Sequence, residues 1–165
     1  MEKEAWDSST EKAKTLKLDD FGTLIEVKEM AKPKKVAENR HDAVEILKEM
    51  VKVGVFTNKT GFKARLTGKA VGKIVSNQAI NTSLNSEAHY LAAANLDWLF
   101  INSIEPWKFE LNPDKNNDGL KDRHYLYSPL EYKGFIVIVK ITVKEYIDNR
   151  FGNKLYSIEV IDTRA

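Results

Sequence analysis

The pattern of apolar and polar positions divides this chain of 165 residues into a helical part followed by a strand-rich part. Behind a plausible cap at Asn39, apolar residues recur at helical spacing until Gly54 ends the run, which predicts a helix. A short helix is predicted in "KAVGKIVSNQ" and a longer one in "SEAHYLAAANLDWLFINS", which opens with an imperfect capping box at Ser86. Between the first two helices, "GVFTNKTGFKARLTG" indicates two short extended pieces around a turn.

After Ser103 the pattern changes from helical spacing to runs rich in aromatic and β-branched residues. "WKFEL", "HYLYSPLEY", "FIVIVKITVKEY" and "KLYSIEVIDT" predict four strands. Because short turns join consecutive strands, an antiparallel meander is favoured. Helices that precede a sheet indicate an α+β fold, with the N-terminal helices packed on one face of a C-terminal four-stranded antiparallel sheet.

Residues 1–17 carry no sustained apolar stripe, and a short apolar piece from Leu24 to Val27 is followed by a breaker at Pro33. We interpret residues 1–38 as a polar lead-in or linker. Residues 39–165 are then one domain, which suits the length and the 42% hydrophobic content. The opening stretch lacks the apolar core of a signal peptide, and no run approaches the roughly 20 apolar residues that span a bilayer. We therefore expect a cytoplasmic protein with no membrane partner.

Composition narrows the chemistry. The chain has no cysteine, which excludes disulfides, cysteine-ligated zinc and thiol nucleophiles. It also lacks the GxGxxG, GxxxxGK[ST], HExxH and GxSxG motifs, so we expect no cofactor.

The net charge is only +2, but no acidic residue lies between Glu49 and Glu87. The basic residues in that interval are Lys52, Lys59, Lys63, Arg65, Lys69 and Lys73. This local positive field suits phosphate binding, with or without catalysis.

Two histidines are candidates for acid–base work near neutral pH. His89 falls in the first turn of the long predicted helix, where the helix dipole lowers a histidine pKa and favours an anion; the alternative is a histidine that simply hydrogen-bonds its neighbours. His124 begins a strand after a polar loop, where the sheet would hold it while leaving it accessible; the alternative is a surface residue at a strand edge.

Two histidines, a basic helix and no obvious acid dyad favour phosphodiester chemistry over glycoside or peptide hydrolysis. A metal-independent ribonuclease needs a base for a 2′-hydroxyl, an acid for the 5′-oxygen leaving group, and cations for the phosphorane. His89, His124 and Lys73 are chemically sufficient for these roles.

The stretch "NPDKNNDGLKDR" resembles the start of a calcium-binding loop, because oxygen-bearing residues alternate before a glycine and another stands at the ninth position. The residues concerned are Asp114, Asn116, Asp118 and Asp122. The twelfth position is Tyr125, where such a loop needs a bidentate glutamate, and the flanking residues are strand-like. A connecting loop without metal is therefore favoured, and calcium binding is the weaker alternative.

Four stretches, taken in order, resemble the barnase–EndoU–colicin–RelE-like nuclease superfamily, in the phage and mobile-element branch found as a domain of large polyvalent proteins. They are "AVEILKEMVKVGVFTNKTGFKARLTGKAVGKIVS", "SEAHYLAAANLDWLF", "RHYLYSPLEYKGFIVIVKITVKEY" and "KLYSIEV". The resemblance covers about Ala43 to Ile161. It implies a ribonuclease-like α+β domain with metal-independent, toxin-like RNA cleavage, used in conflict between mobile elements and hosts. RNA is the implied substrate, and an immunity or antitoxin protein is a candidate partner.

Carried over by position, the resemblance assigns Lys73 and Ser76 in "GKIVS", His89 in "SEAHY" and His124 in "RHYLY", with Tyr156 and Ser157 in "KLYSIE". The predicted catalytic set is His89, His124 and Lys73. The predicted substrate-binding set is Arg65, Ser76, Arg123, Lys140, Tyr156 and Ser157. One histidine is expected to act as base and the other as acid. The alternative is a non-catalytic RNA-binding or protein-binding module on a degenerate nuclease fold.

Overall fold

The computed structural model describes residues 9–108, 119–148 and 152–163. Its helices are α1 (Leu24–Ala31), α2 (Arg40–Val53), α3 (Gly68–Ile74), α4 (Asn77–Thr82), α5 (Ser86–Ala94) and α6 (Leu96–Ile101). Residues 9–13 are also helical, and a 3-10 helix spans Leu18–Phe21. The strands are β1 (Val55–Thr57), β2 (Lys63–Arg65), β3 (Leu120–Tyr132), β4 (Phe135–Tyr146) and β5 (Asn153–Ile161). None of the helices in these ranges is long and apolar enough to cross a membrane.

The strands form one five-stranded sheet in the order β1-β2-β5-β4-β3. The predicted α+β fold is confirmed, but the sheet is mixed and not a four-stranded antiparallel one. The two short pieces β1 and β2 extend it, because β2 pairs in parallel with β5 through Arg65 and Lys154. The predicted first strand "WKFEL" is not seen where it is described, since Trp107 and Lys108 lie in no strand. Its last three residues lie outside the described ranges.

The main core lies between the helices and one face of the sheet. β3 and β4 form a long hairpin, and alternate residues along it are buried in this core. Examples that are at most 2% exposed are Leu126 and Leu130 on β3 and Ile141 on β4. On the helical side, Leu47 of α2 and Ala92 of α5 are buried in the same cluster. The helix predicted behind Asn39 is confirmed, since the Asn39 side chain caps α2 by accepting from the Asp42 amide at 2.9 Å.

Residues 9–31 cover the opposite face of the sheet, whereas the sequence pattern predicts only a lead-in there. Ala13, Phe21 and Val27 are buried there against Tyr125 and Tyr127 of β3. The sequence pattern hides this packing because each helical piece is short and contributes only a few apolar side chains. The sheet is therefore covered on both faces.

The long predicted helix is divided at Asn95 into α5 and α6. The Asn95 carboxamide oxygen accepts from the amides of Lys34 and Lys35 at 2.7 and 2.9 Å, and its nitrogen donates to the Lys35 carbonyl. Asn95 therefore connects the segment that precedes α2 to the boundary between α5 and α6. The helix cap also differs from the prediction, because the Asn85 side chain, and not that of Ser86, accepts from the first turn.

Candidate functional site

A β-bulge in β5 brings Tyr156 into a group of cations. Thr142 pairs with Ser157 and Val143 pairs with Leu155, so Tyr156 is the extra residue of the bulge. Such a bulge bends its strand and redirects a side chain. From the centre of the Tyr156 ring, Lys144 Nζ lies at 3.6 Å, Lys73 Nζ at 5.0 Å and Arg123 Cζ at 5.9 Å. We call these four residues the Tyr156 cluster.

Secondary structure positions each cation of the Tyr156 cluster. Arg123 of β3 and Lys144 of β4 are directly opposite in the hairpin register, so their side chains share a face. Lys73 lies in the last turn of α3, which packs against β5. This placement concentrates positive charge beside the Tyr156 ring.

The cations also change the acidity of the phenol. Burial of Tyr156 acts to raise its pKa, but a hydrogen bond with Lys73 and the charges of Lys144, Lys73 and Arg123 outweigh burial. The pKa of Tyr156 is therefore lowered from its ordinary value. A phenol of this kind gives up its proton more readily than an ordinary tyrosine, and the resulting phenolate can serve as a base.

A cavity of about 500 Å³ borders the Tyr156 cluster. Four lysines, Lys69, Lys73, Lys144 and Lys154, line it together with the rings of Tyr146 and Tyr156. None of the described residues lining this cavity is acidic. Cations beside half-buried aromatic rings suit a ligand that combines phosphate groups with flat bases.

His89 lies in the interior, away from solvent, and is fully buried. Its Nε2–H donates to the Ile74 carbonyl at 2.7 Å, which leaves Nδ1 to accept from the Ser83 hydroxyl at 2.7 Å. Burial lowers the pKa of His89, and the bond to Ile74 only partly opposes this. The Ser83 hydroxyl oxygen in turn accepts from the Val160 amide at 2.9 Å. His89 is therefore a neutral residue that joins α5 to α3 and, through Ser83, to β5.

His124 is held between two carboxylates. Nδ1 contacts Glu105 Oε2 at 2.6 Å, Nε2 contacts Glu145 Oε1 at 2.8 Å, and the Phe62 ring packs at a centroid distance of 4.7 Å. Burial acts to lower the pKa of His124, but the two carboxylates outweigh it and raise the pKa above its ordinary value. Only 7% of the His124 surface is exposed, so His124 is neither the accessible histidine that the sequence predicts nor the surface residue of the alternative.

Asp122 completes a group around this ring. One potential ligand atom from each of Asp122, His124 and Glu145 lies within 4.8 Å of the others. We call these three residues and Glu105 the His124 cluster. The remaining members of the predicted calcium loop, Asp114, Asn116 and Asp118, lie outside the described residues.

The other predicted residues take separate places. Lys140 is fully buried, and its Nζ donates to the hydroxyls of Ser9 and Thr10 at 2.9 Å and lies 3.7 Å from Glu159. It thus faces residues 9–13, and it cannot support phosphate on the accessible surface. Ser157 is buried in β5.

Two further predicted residues lie nearer the surface. Ser76 caps α4, because its hydroxyl oxygen accepts from the Ala79 amide at 3.2 Å. Arg65 is exposed on β2, in register with Lys154, which lines the cavity. Of the predicted residues, the structure therefore brings Lys73, Arg123 and Tyr156 together. It does not bring the two histidines into that group.

Sequence reasoning missed Lys144, Lys154, Glu105 and Glu145. The first and last of these follow from a signal in the chain, because the Lys133-Gly134 turn sets the hairpin register. Counting outward from that turn places Lys144 opposite Arg123 and Glu145 opposite Asp122.

Comparison with family models matches residues 34–156 to large polyvalent protein-associated domain 3. The chain belongs to this family. The match to large polyvalent protein-associated domain 3 covers α2 to α6 and most of the sheet, and it begins after the segment that covers the second sheet face. It supports the phage and mobile-element branch of the resemblance. Comparison with curated proteins and with solved structures gives no match.

Proposed function

We propose that this large polyvalent protein-associated domain binds RNA at the Tyr156 cluster and cleaves it there without a metal ion. The observation that carries the proposal is the placement of three cations around a bulged tyrosine whose phenol they acidify. Membership of the barnase–EndoU–colicin–RelE-like superfamily belongs to the same proposal. So do toxin-like action, an immunity or antitoxin partner, and a cytoplasmic site of action.

Binding rests on the charge and shape of the cavity. Its four lysines attract the phosphates of a polynucleotide, and each phosphate contact releases counterions. The rings of Tyr146 and Tyr156 offer surfaces on which unpaired bases stack. Single-stranded RNA meets these requirements better than a duplex, because its bases are free to leave the backbone and stack on side chains.

Cleavage follows from the acidified phenol. As the phenolate, Tyr156 removes the proton from a 2′-hydroxyl, the 2′-oxygen attacks the adjacent phosphorus, and the bond to the 5′-oxygen breaks. The products are a 2′,3′-cyclic phosphate and a free 5′-hydroxyl. Lys73, which shares a hydrogen bond with Tyr156, donates the proton that the leaving oxygen needs. Arg123 and Lys144 stabilise the negative charge of the phosphorane.

The test is cleavage of a single-stranded RNA oligonucleotide by the full chain and by the Tyr156→Phe variant, with and without chelator. Phenylalanine keeps the ring but removes the base, so we expect the rate to fall by about 100-fold or more. RNA affinity should remain, and chelator should change neither rate. The matched control is Tyr132→Phe, which removes a hydroxyl that contacts Asn85 and Glu87 instead of the cluster.

Two results would contradict the proposal. Equal cleavage by the wild type and Tyr156→Phe would remove Tyr156 from the reaction. Loss of cleavage on addition of chelator would remove the metal-free part of the mechanism.

The second candidate is an RNA-binding module that does not cut. A specific observation favours it. The two histidines that the sequence predicts as acid and base have both ring nitrogens engaged within the protein. Salt-sensitive RNA binding by the wild type, with no cleavage products under any condition, would select this candidate.

A further inference from the structure

The His124 cluster gathers three side chains that are common metal ligands. Asp122 and His124 are two residues apart on β3, and strand alternation therefore puts both on the same face. Glu145 is the register partner of Asp122 on β4, and it reaches the His124 ring. Arg123, which lies between the two β3 residues, belongs to the opposite face and to the Tyr156 cluster. The acidic and basic groups are thus separated by the sheet.

The His124 ring is held in the orientation that a metal ligand needs. Glu105 binds Nδ1 at 2.6 Å, and the Phe62 ring packs beside the imidazole, so Nε2 is turned toward Glu145. A metal-bound histidine almost always donates its second ring N–H to a carboxylate or carbonyl, which fixes its orientation. Glu105 already supplies that contact. This arrangement distinguishes the site from a simple cluster of acidic side chains.

We propose that His124 Nε2 and the carboxylates of Asp122 and Glu145 bind one divalent transition-metal ion of the Zn²⁺ type, with Glu105 as a positioning residue. One imidazole nitrogen with two carboxylates suits zinc and its neighbours better than calcium or magnesium, which take oxygen ligands. Water completes the coordination.

The geometry requires only small side-chain adjustments. Ligand atoms of a tetrahedral zinc ion lie roughly 3.3 Å apart. The three ligand atoms here lie within 4.8 Å of one another, and His124 Nε2 is already 2.8 Å from Glu145 Oε1. All three residues are buried or half-buried, and a metal bound to them would be partly shielded from water.

The metal would replace a proton and compete with a lysine. In the described structure, a hydrogen bond joins Nε2 to Glu145, whose other oxygen lies 3.3 Å from Lys121 Nζ. A metal ion takes the place of the proton on Nε2, so binding releases that proton to solvent. Lys121 opposes the metal by its charge, because it neutralises a ligand. Removing Lys121 should therefore strengthen metal binding, whereas removing a ligand should weaken it.

The test is titration of the chelator-treated full chain with ZnCl₂ by calorimetry and with CoCl₂ by visible absorption. We expect one ion per chain and a thermal unfolding midpoint that rises with Zn²⁺ concentration. Asp122→Asn and Glu145→Gln should each weaken binding by about tenfold or more. Lys121→Gln should tighten it. The matched control is His41→Gln, since His41 is an exposed histidine on α2.

The outcomes separate a metal site from a purely structural ion-pair group. Absence of Zn²⁺ and Co²⁺ binding in the wild type would overturn the proposal and leave His124 as an ion-paired residue. Binding that His41→Gln abolishes, and that the two ligand variants leave intact, would also overturn it. If a ligand variant fails to fold, the Lys121→Gln variant serves as the test. Zn²⁺ binding to Lys121→Gln that is unchanged or weaker would contradict the proposed competition between Lys121 and the metal.

Discussion

Two neighbouring regions of the hairpin, the Tyr156 cluster and the His124 cluster, carry opposite charge. Both draw on the same short stretches of β3 and β4, and alternation of side chains directs adjacent residues to opposite faces. One face gathers like charges around a tyrosine ring, whereas the other gathers carboxylates around an imidazole. One end of a sheet can therefore hold two groups of opposite charge, because neighbouring side chains point to opposite faces.

The two regions also differ in how their charges are arranged. In the His124 cluster the charges alternate in sign, so the raised pKa of His124 and the lowered pKa of Glu145 support each other. In the Tyr156 cluster three cations converge on one ring. Cations gathered in this way attract anions such as the phosphates of the proposed RNA.

The largest effect on stability is expected at the buried lysine of β4, and substitution of a half-buried lysine of the same strand provides the comparison. Lys140→Met removes the ammonium beside buried Glu159, so the free energy of unfolding should fall by about 3–5 kcal/mol. Lys144→Met removes a half-buried ammonium that packs on the Tyr156 ring at 3.6 Å, so the free energy of unfolding should fall by only about 0.5–2 kcal/mol. Denaturant unfolding measures both. A loss of stability in Lys144→Met equal to that in Lys140→Met would contradict the distinction.

A smaller effect is expected at His89, the histidine that belongs to neither cluster. His89→Gln disturbs two interior hydrogen bonds, and it should lower the free energy of unfolding by about 1–3 kcal/mol.

The pH dependence of stability tests the same residue. Because the pKa of His89 is lower in the fold than in the unfolded chain, the unfolded chain takes up the proton first as pH falls below about 6.5. The wild type should therefore lose stability from that pH downward, until the folded pKa is passed. His89→Gln should lack this component, whereas His41→Gln should keep it. Identical pH profiles for the wild type and His89→Gln would contradict the assignment.

Much of the hairpin could be predicted from the sequence. The runs of β-branched and aromatic residues predict β3, β4 and β5, and the Lys133-Gly134 turn has the positive backbone angles, φ 50° and 81°, of a tight hairpin. That turn specifies the register, and hence the opposition of Arg123 to Lys144. The local sequence pattern was sufficient for this hairpin, because one tight turn sets the pairing of β3 with β4.

Features that depend on distant contacts could not be predicted. Pattern alone leaves the roles of the two histidines open, because His89 is buried by Ser83 and Ile74 whereas His124 meets Glu105 from a separate segment. The bulge at Tyr156 has no signature in composition, since it arises from how β5 pairs with β4.

The most direct test of the account is the salt dependence of RNA binding. The ligand is a single-stranded RNA with methylated 2′-hydroxyls, which cannot be cleaved by 2′-oxygen attack. Lys144→Gln should weaken binding and reduce the slope of log affinity against log salt by about 0.7. Lys133→Gln, at the far end of the same hairpin, should leave affinity and slope unchanged. Equal effects of the two substitutions, or binding insensitive to salt, would contradict the placement of RNA at the Tyr156 cluster.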